Sequence, residues 1–369
     1  MPREQYSYTN SGYALLTTLV ERVSGTSFAE FTRRRIFEPA GMEDTGWRDD
    51  FTRLVPGRAQ AYAPAEGGWR LAMPFESVVG PGGMLTTVGD WLAWSRALAA
   101  GTLGPGVTDS LTRRMRLSGG REIRYGLGLF VGEYRGIPEI SHSGSTAGYS
   151  TFLVRYPDRG NLTIAVLCNA ANAEPGEYAR RLADHLVTDF PPPPPLDTVA
   201  VDSVTWARYA GVYREERTHA PLRVGADAWN RYRALPGGWL RLGNASLWRF
   251  EVPDGGRPTS LTVVRPDGDT VRYAYQGERP WAPAPEQLRA FVGRYYSEDL
   301  GVSYEAKLAG DTLTLSARPG IVLRLQPTYP DGFTTRGSAV WFTRDRRGRV
   351  SAMHVSESRV WDLVFSRIR

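Results

Sequence analysis

The sequence predicts a mixed α/β (α+β) domain, an antiparallel sheet flanked by helices, followed by an all-β antiparallel barrel region. Three observations predict this. Helical and strand periodicities alternate as far as about residue 190. An unbroken proline run at 191–195, extended and stiff, then interrupts the chain. Beyond it only short strand-like runs and turns recur, and 40 Gly with 26 Pro supply the turns. A length of 369 residues allows two or three domains.

The first region opens on a helix in which Leu15, Leu16, Leu19, Val20 and Val23 recur at helical spacing, with Gly25 placed to end it. Ser27 and Glu30 have capping-box spacing for a second helix. Thr87 and Asp90 start a third, which carries Trp91, Trp94 and Leu98 and stops at Gly101. Strands are predicted at 126–132, 139–142, 149–156 and 162–168, the last two joined as a hairpin by the turn at 157–160. A closing helix is predicted at 177–187.

The domain so delimited is 1–190, with a linker at 191–199. The rest is read as two small barrels, 200–283 and 286–369, one larger barrel being the alternative. Turn signals lie at 254–256, 266–268 and 347–348. Tyr209-Ala210-Gly211-Val212-Tyr213 has a counterpart in Phe291-Val292-Gly293-Arg294-Tyr295, each opening a strand-rich stretch. Trp239, Trp248 and Trp341 are expected in cores or interfaces.

Composition excludes several function classes. The net charge of +6 comes from arginines spread along the chain, Lys307 being the only lysine. The densest run, Arg33-Arg34-Arg35, falls in a predicted helix and reads as a solvated face, so no nucleic-acid partner is expected. No apolar run approaches the ~20 residues of a membrane helix. The single cysteine, Cys168, excludes an internal disulfide and a Cys-rich zinc site, and its apolar strand suggests a buried structural thiol. His219 and His354 are isolated in the sequence and His185 sits in the closing helix, so neither a metal nor a cofactor is expected.

Two short motifs carry chemistry. Tyr8-Thr9-Asn10 precedes the first helix; alone, Asn10 reads as an N-cap with Tyr8 packed beneath it. His142-Ser143-Gly144, followed by Ser145, ends a predicted strand. Between and after them come Phe37-Glu38-Pro39-Ala40-Gly41-Met42, Gly82-Gly83-Met84-Leu85, Tyr125-Gly126-Leu127-Gly128 and a hairpin ending at Asn169.

This order and spacing resemble the serine β-lactamase-like, penicillin-recognising hydrolases: class C β-lactamases, DD-peptidases, D-aminopeptidases and related esterases, some with lipocalin-like barrels after the catalytic domain. The resemblance covers roughly the first half of the chain. It implies a β-lactamase-like fold and an acyl-serine mechanism on a small peptide, amide or ester. By resemblance, Tyr8 is the general base and later the acid, and Asn10 holds the substrate amide. Gly144 lets a substrate backbone pair with the His142-Ser143-Gly144 strand, and the Ser145 N–H is an oxyanion donor. Gly82 and Gly83 shape the opposite rim, a purely structural turn being the alternative. Where the family's third motif has lysine, this chain has His142, mostly neutral at pH 7, so carboxylate recognition is expected to be weak.

The family's S-x-x-K motif is missing, since Tyr304 stands three residues before Lys307. The resemblance therefore implies a longer ancestor truncated at its N-terminus, with Met1 an internal methionine and apolar faces left unburied. This chain is then expected to lack its nucleophile and to be inactive alone. A non-catalytic peptide- or partner-binding protein and a decayed gene fragment are the alternatives. A signal peptide on the missing segment would make the protein periplasmic or secreted; without one it would be cytoplasmic. A homo-oligomer is left open.

Overall fold

The computed structural model describes residues 4–192, 199–228, 232–242, 246–253, 256–265, 268–318, 320–357 and 359–368. Met1, the end of the proline run from 193, and the expected turns at 254–255 and 266–267 lie outside the described residues. The chain divides into two compact units, Met1–Pro195 and Leu196–Arg369.

In the first unit, helix α1 spans Asn10–Ser24. Its N-cap is Thr9, whose hydroxyl accepts from the Ser11 N–H at 3.2 Å, so Asn10 is the first helical residue and not the cap. Gly25, at φ 70°, ends the helix as expected and donates its N–H to the Glu21 carbonyl. The apolar stripe lies exposed, as expected of apolar faces left unburied. Leu15, Leu19 and Val23 are 71%, 54% and 80% exposed, so this face covers no core among the described residues. The helix instead buries Thr17.

Ser27 caps the turn Phe28–Thr32 through the Glu30 N–H, but the Glu30 carboxylate faces Arg33 and Arg34 rather than completing the box. Those arginines form the solvated face expected of them. Helix α2, Val88–Ala100, is capped by Thr87 at 3.2 Å and closed by Gly101. Its Asp90 turns away to accept from the Asp44 N–H and the Thr45 hydroxyl.

Four antiparallel strands follow in sequential order: β1 (Phe130–Tyr134), β2 (Ile137–Thr146), β3 (Tyr149–Tyr156) and β4 (Leu162–Cys168). The first starts later than the predicted 126, because Gly128 sits at φ +90° and breaks the extended run. The second is longer than 139–142 at both ends. Helix α3, Pro175–Leu186, packs small side chains on this sheet: Ala179 and Ala183 are fully buried with Phe152, Val154, Tyr156 and Ile164. Cys168 is half-buried, not buried, being the last residue of β4. Among the described residues no helix is long and apolar enough to cross a membrane.

The second unit is an antiparallel barrel region. An eight-stranded sheet runs between residues 199 and 277, and a nine-stranded one between 293 and 368. In the latter the two end strands, Ile321–Arg324 and Gln326–Tyr329, are separated only by Leu325. A sheet whose two edges are neighbours in the chain has to curl round on itself. Each sheet has its own aromatic core, around Trp206, Tyr213 and Trp248 in one and Phe291, Tyr295 and Phe333 in the other.

The sequence repeat has a structural counterpart. The Tyr213 hydroxyl donates to the Tyr209 carbonyl at 2.6 Å, and that of Tyr295 to the Phe291 carbonyl at 2.7 Å. Between each pair lies a glycine at nearly the same positive φ, 154° at Gly211 and 156° at Gly293, which favours glycine. The histidines of this unit are not isolated in space. His219 stacks on Trp341 at 4.3 Å, and His354 stacks on the same indole at 5.0 Å.

Candidate active site

Of the predicted site residues, Tyr8 and His142 lie side by side in the first unit. The Tyr8 ring, just ahead of α1, lies 6.0 Å from the His142 ring. Asn10, two residues further on at the start of α1, is exposed. Strand β1 pairs with β2 only over Ile137 to Ser141, whereas β3 pairs with it as far as Thr146. Residues 142–146 therefore have a strand on one side only among the described residues. Ser143, Gly144 and Ser145 are exposed along that stretch. An extended peptide can add to such an edge by backbone hydrogen bonds.

Gly82 and Gly83 belong to a loop that reaches both elements. At one end the Thr146 hydroxyl donates to Glu76 at 3.3 Å. At the other Gly80 lies so close to α1 that a Cβ there would stand 2.2 Å from the Thr17 methyl. Gly83 has its own structural reason: its φ is +81°, and a Cβ would come within 1.9 Å of the Val78 carbonyl oxygen. Gly82 has open space around its Cα.

The structure adds residues that sequence reasoning left without a role. Tyr125 hydrogen-bonds His142 Nε2 at 3.3 Å, and its ring meets Tyr8 edge-on at 6.1 Å. Phe130 packs 5.3 Å from the His142 ring. The Tyr13 hydroxyl bonds that of Tyr125, and Gly128 lies against it. The only sequence signal was Tyr125-Gly126-Leu127-Gly128, whose glycines mark a turn. Burial pushes the Tyr125 phenol well above its usual range, so it stays a hydroxyl. Burial also lowers the His142 pKa below its ordinary value, against the smaller opposing effect of the Ser143 carbonyl. His142 is therefore neutral at pH 7.

Strand β2 is braced from behind. Ile137, Glu139 and Ser141 alternate onto its buried face. There the Glu139 carboxylate accepts from Arg180 of α3 at 2.9 Å, from Tyr156 at 3.1 Å and from Ser141 at 3.2 Å. Arg180→Leu strands that carboxylate. Breaking a buried pair in this way costs several kcal/mol; because Arg180 is partly exposed, about 2–3 kcal/mol is expected. Urea denaturation should show the loss, and adding Glu139→Gln should recover part of it. A loss under about 0.5 kcal/mol, the level of an ordinary surface substitution, would refute the brace.

A family model described as Beta-lactamase matches residues 1–188. Penicillin-binding protein 4* of Bacillus subtilis is 30% identical over 237 residues, 58% of this chain and 51% of that protein. A D-aminopeptidase of Brucella anthropi is 27% identical over 284 residues, 75% of this chain and 51% of the relative. Among solved structures, the octameric penicillin-binding protein homologue from Pyrococcus abyssi is 18% identical with a TM-score of 0.46, covering 99% of this chain and 66% of its own. The chain spans about half the length of the curated relatives it matches.

Proposed function

The chain belongs to the beta-lactamase family, and from that premise we propose that its first unit is the acyl-transfer part of a serine hydrolase for small peptide, amide or ester substrates. One observation carries the proposal: the Tyr8 ring stands beside His142 at the start of the unpaired stretch of β2. The substrate lies along Ser143 to Ser145 as an added strand, with Gly144 leaving room for its backbone. Tyr8 takes the proton of a serine hydroxyl as that oxygen attacks the carbonyl, and returns it to the leaving group. The Ser145 N–H donates to the developing oxyanion, and the Asn10 side chain holds the substrate amide. The D-aminopeptidase relatives favour amide bonds as the target.

The serine itself is not supplied by an S-x-x-K motif of this sequence. The one lysine, Lys307, lies on the strand Val302–Ala309, paired with Glu305 at 2.9 Å. The polypeptide alone is accordingly proposed not to acylate. That same observation favours a second reading, in which the β2 edge binds peptides without chemistry. Intact-mass measurement after exposure to a fluorophosphonate and a penicillin is expected to show no adduct on this chain. A version carrying an S-x-x-K segment ahead of Tyr8 is expected to gain one mass increment on that serine. An adduct on the chain as given would overturn the missing nucleophile; an unreactive extended version that still binds peptide would favour the second reading.

A further inference from the structure

Both ring nitrogens of His142 are engaged inside the protein. Nδ1 lies 2.5 Å from the Ser143 carbonyl oxygen, and a carbonyl only accepts, so Nδ1 carries the proton. A neutral imidazole has one N–H, which leaves Nε2 as the acceptor for the Tyr125 hydroxyl at 3.3 Å. We infer that Tyr125 is a positioning residue that, together with the Ser143 carbonyl, holds His142 in one tautomer with no N–H left for substrate, and so selects ligands uncharged at that end, amides or esters, over free carboxylates. The inference rests on the cleft being the acyl-transfer site proposed above.

The surroundings agree with a neutral, donor-free ring. The described neighbours of the imidazole are Tyr8, Tyr125 and Phe130, with Tyr13 behind Tyr125. None of these side chains is basic, and the shift of the imidazole arises from burial and the Ser143 carbonyl with no ion pair involved. A carboxylate brought against this wall would lose water and gain no cation, whereas an amide or ester carbonyl loses far less. The Tyr125 hydroxyl itself stays protonated and so remains a donor across the working range.

The test uses the chain labelled with 15N-histidine, His142→Gln assigning the resonance. At neutral pH the ring is expected to show a protonated Nδ1 and a lone-pair Nε2, with a titration midpoint below the reference ~6.5. Tyr125→Phe keeps the aromatic contacts and removes the hydroxyl, and with it the bonds to His142 and Tyr13. It should move the Nε2 resonance toward that of a free lone pair and raise the midpoint, since the neutral ring loses a hydrogen bond. Tyr13→Phe, one bond further away, should do the same more weakly and serves if the first variant does not fold. A proton on Nε2 in the parent chain, or unchanged ring resonances in the folded variants, would overturn the assignment.

A D-dipeptide amide and the same dipeptide as free acid are then titrated against the His142 signal. The amide is expected to bind at least about tenfold more tightly, a difference of roughly 1.4 kcal/mol, and His142→Lys to reverse the order. Equal binding of the two would overturn the selectivity. If neither binds, the acyl-transfer reading falls with the selectivity, while the tautomer is judged by the spectrum alone.

Discussion

In a version of the protein that carries an S-x-x-K segment, Tyr8→Phe should slow acylation by about 100- to 10,000-fold, the range over which a positioned proton acceptor contributes. The substitution removes one oxygen and leaves the ring, which keeps its contacts with Tyr125 at 6.1 Å and His142 at 6.0 Å. Binding of a non-reacting peptide amide should therefore be little changed. Asn10→Ala should behave in the opposite way, weakening binding more than it slows the chemical step, because Asn10 is assigned to the substrate amide and not to the proton. Stopped-flow acylation with a chromogenic ester separates the two effects. Equal acylation rates for Tyr8→Phe and its parent would remove Tyr8 from the mechanism, whatever else binds in the cleft.

The demand on Tyr8 also explains why the neighbours matter. A phenol becomes a proton acceptor only where a nearby cation favours its anion. The aromatic base beside Tyr8 is His142, which burial keeps neutral. The family lysine of S-x-x-K would supply that cation, and this sequence holds no such motif. On the proposed mechanism an S-x-x-K segment would bring the nucleophile and its activating charge together. Restoring a serine without the lysine should give little acylation.

Much of the local structure was legible in the sequence, because capping and turn chemistry act over a few residues. Gly25 and Gly101 end their helices in the left-handed region, and Thr87 caps at 3.2 Å. The hairpin joining β3 and β4 falls at the predicted residues. The repeated aromatic-x-Gly-x-Tyr pattern marks two equivalent turns into strands. Tyr8 and His142, more than 130 residues apart in the chain, were paired only through a resemblance. Nothing in the periodicity of either segment could have joined them.

What was missed depends on tertiary context. Glu139 could have been flagged, since it shares the alternating face of Ile137 and Ser141, and a carboxylate on a buried face requires partners. Arg180 and Tyr156, its partners, come from a helix and a strand whose packing no local pattern reveals. Tyr125 escaped for a similar reason: its place beside His142 depends on where Gly128 turns the chain into β1. Likewise, His219 and His354 share one indole only because the barrel region brings the segments around 219 and 341–354 together.

The second large effect expected is in the barrel region, where Phe291→Ala should cost about 3–5 kcal/mol, as for other fully buried aromatics. Phe291 has no exposed surface, and its ring packs 4.7 Å from Phe342 and 5.3 Å from Phe333. Its carbonyl also receives the buried Tyr295 hydroxyl, so one residue fills the core and anchors the first strand of the nine-stranded sheet. Tyr295→Phe, which removes that bond alone, should cost about 1–2 kcal/mol. The equivalent position in the other sheet offers an internal control. Tyr209 is only half-buried and stacks flat on Phe250 at 4.3 Å, so Tyr209→Ala should cost less than Phe291→Ala although both carry the same hydrogen bond. Urea unfolding of the three variants orders them. If Phe291→Ala proved no more damaging than Tyr209→Ala, burial would not be what distinguishes the two turns, and the nine-stranded sheet would not depend on the Phe291 cluster.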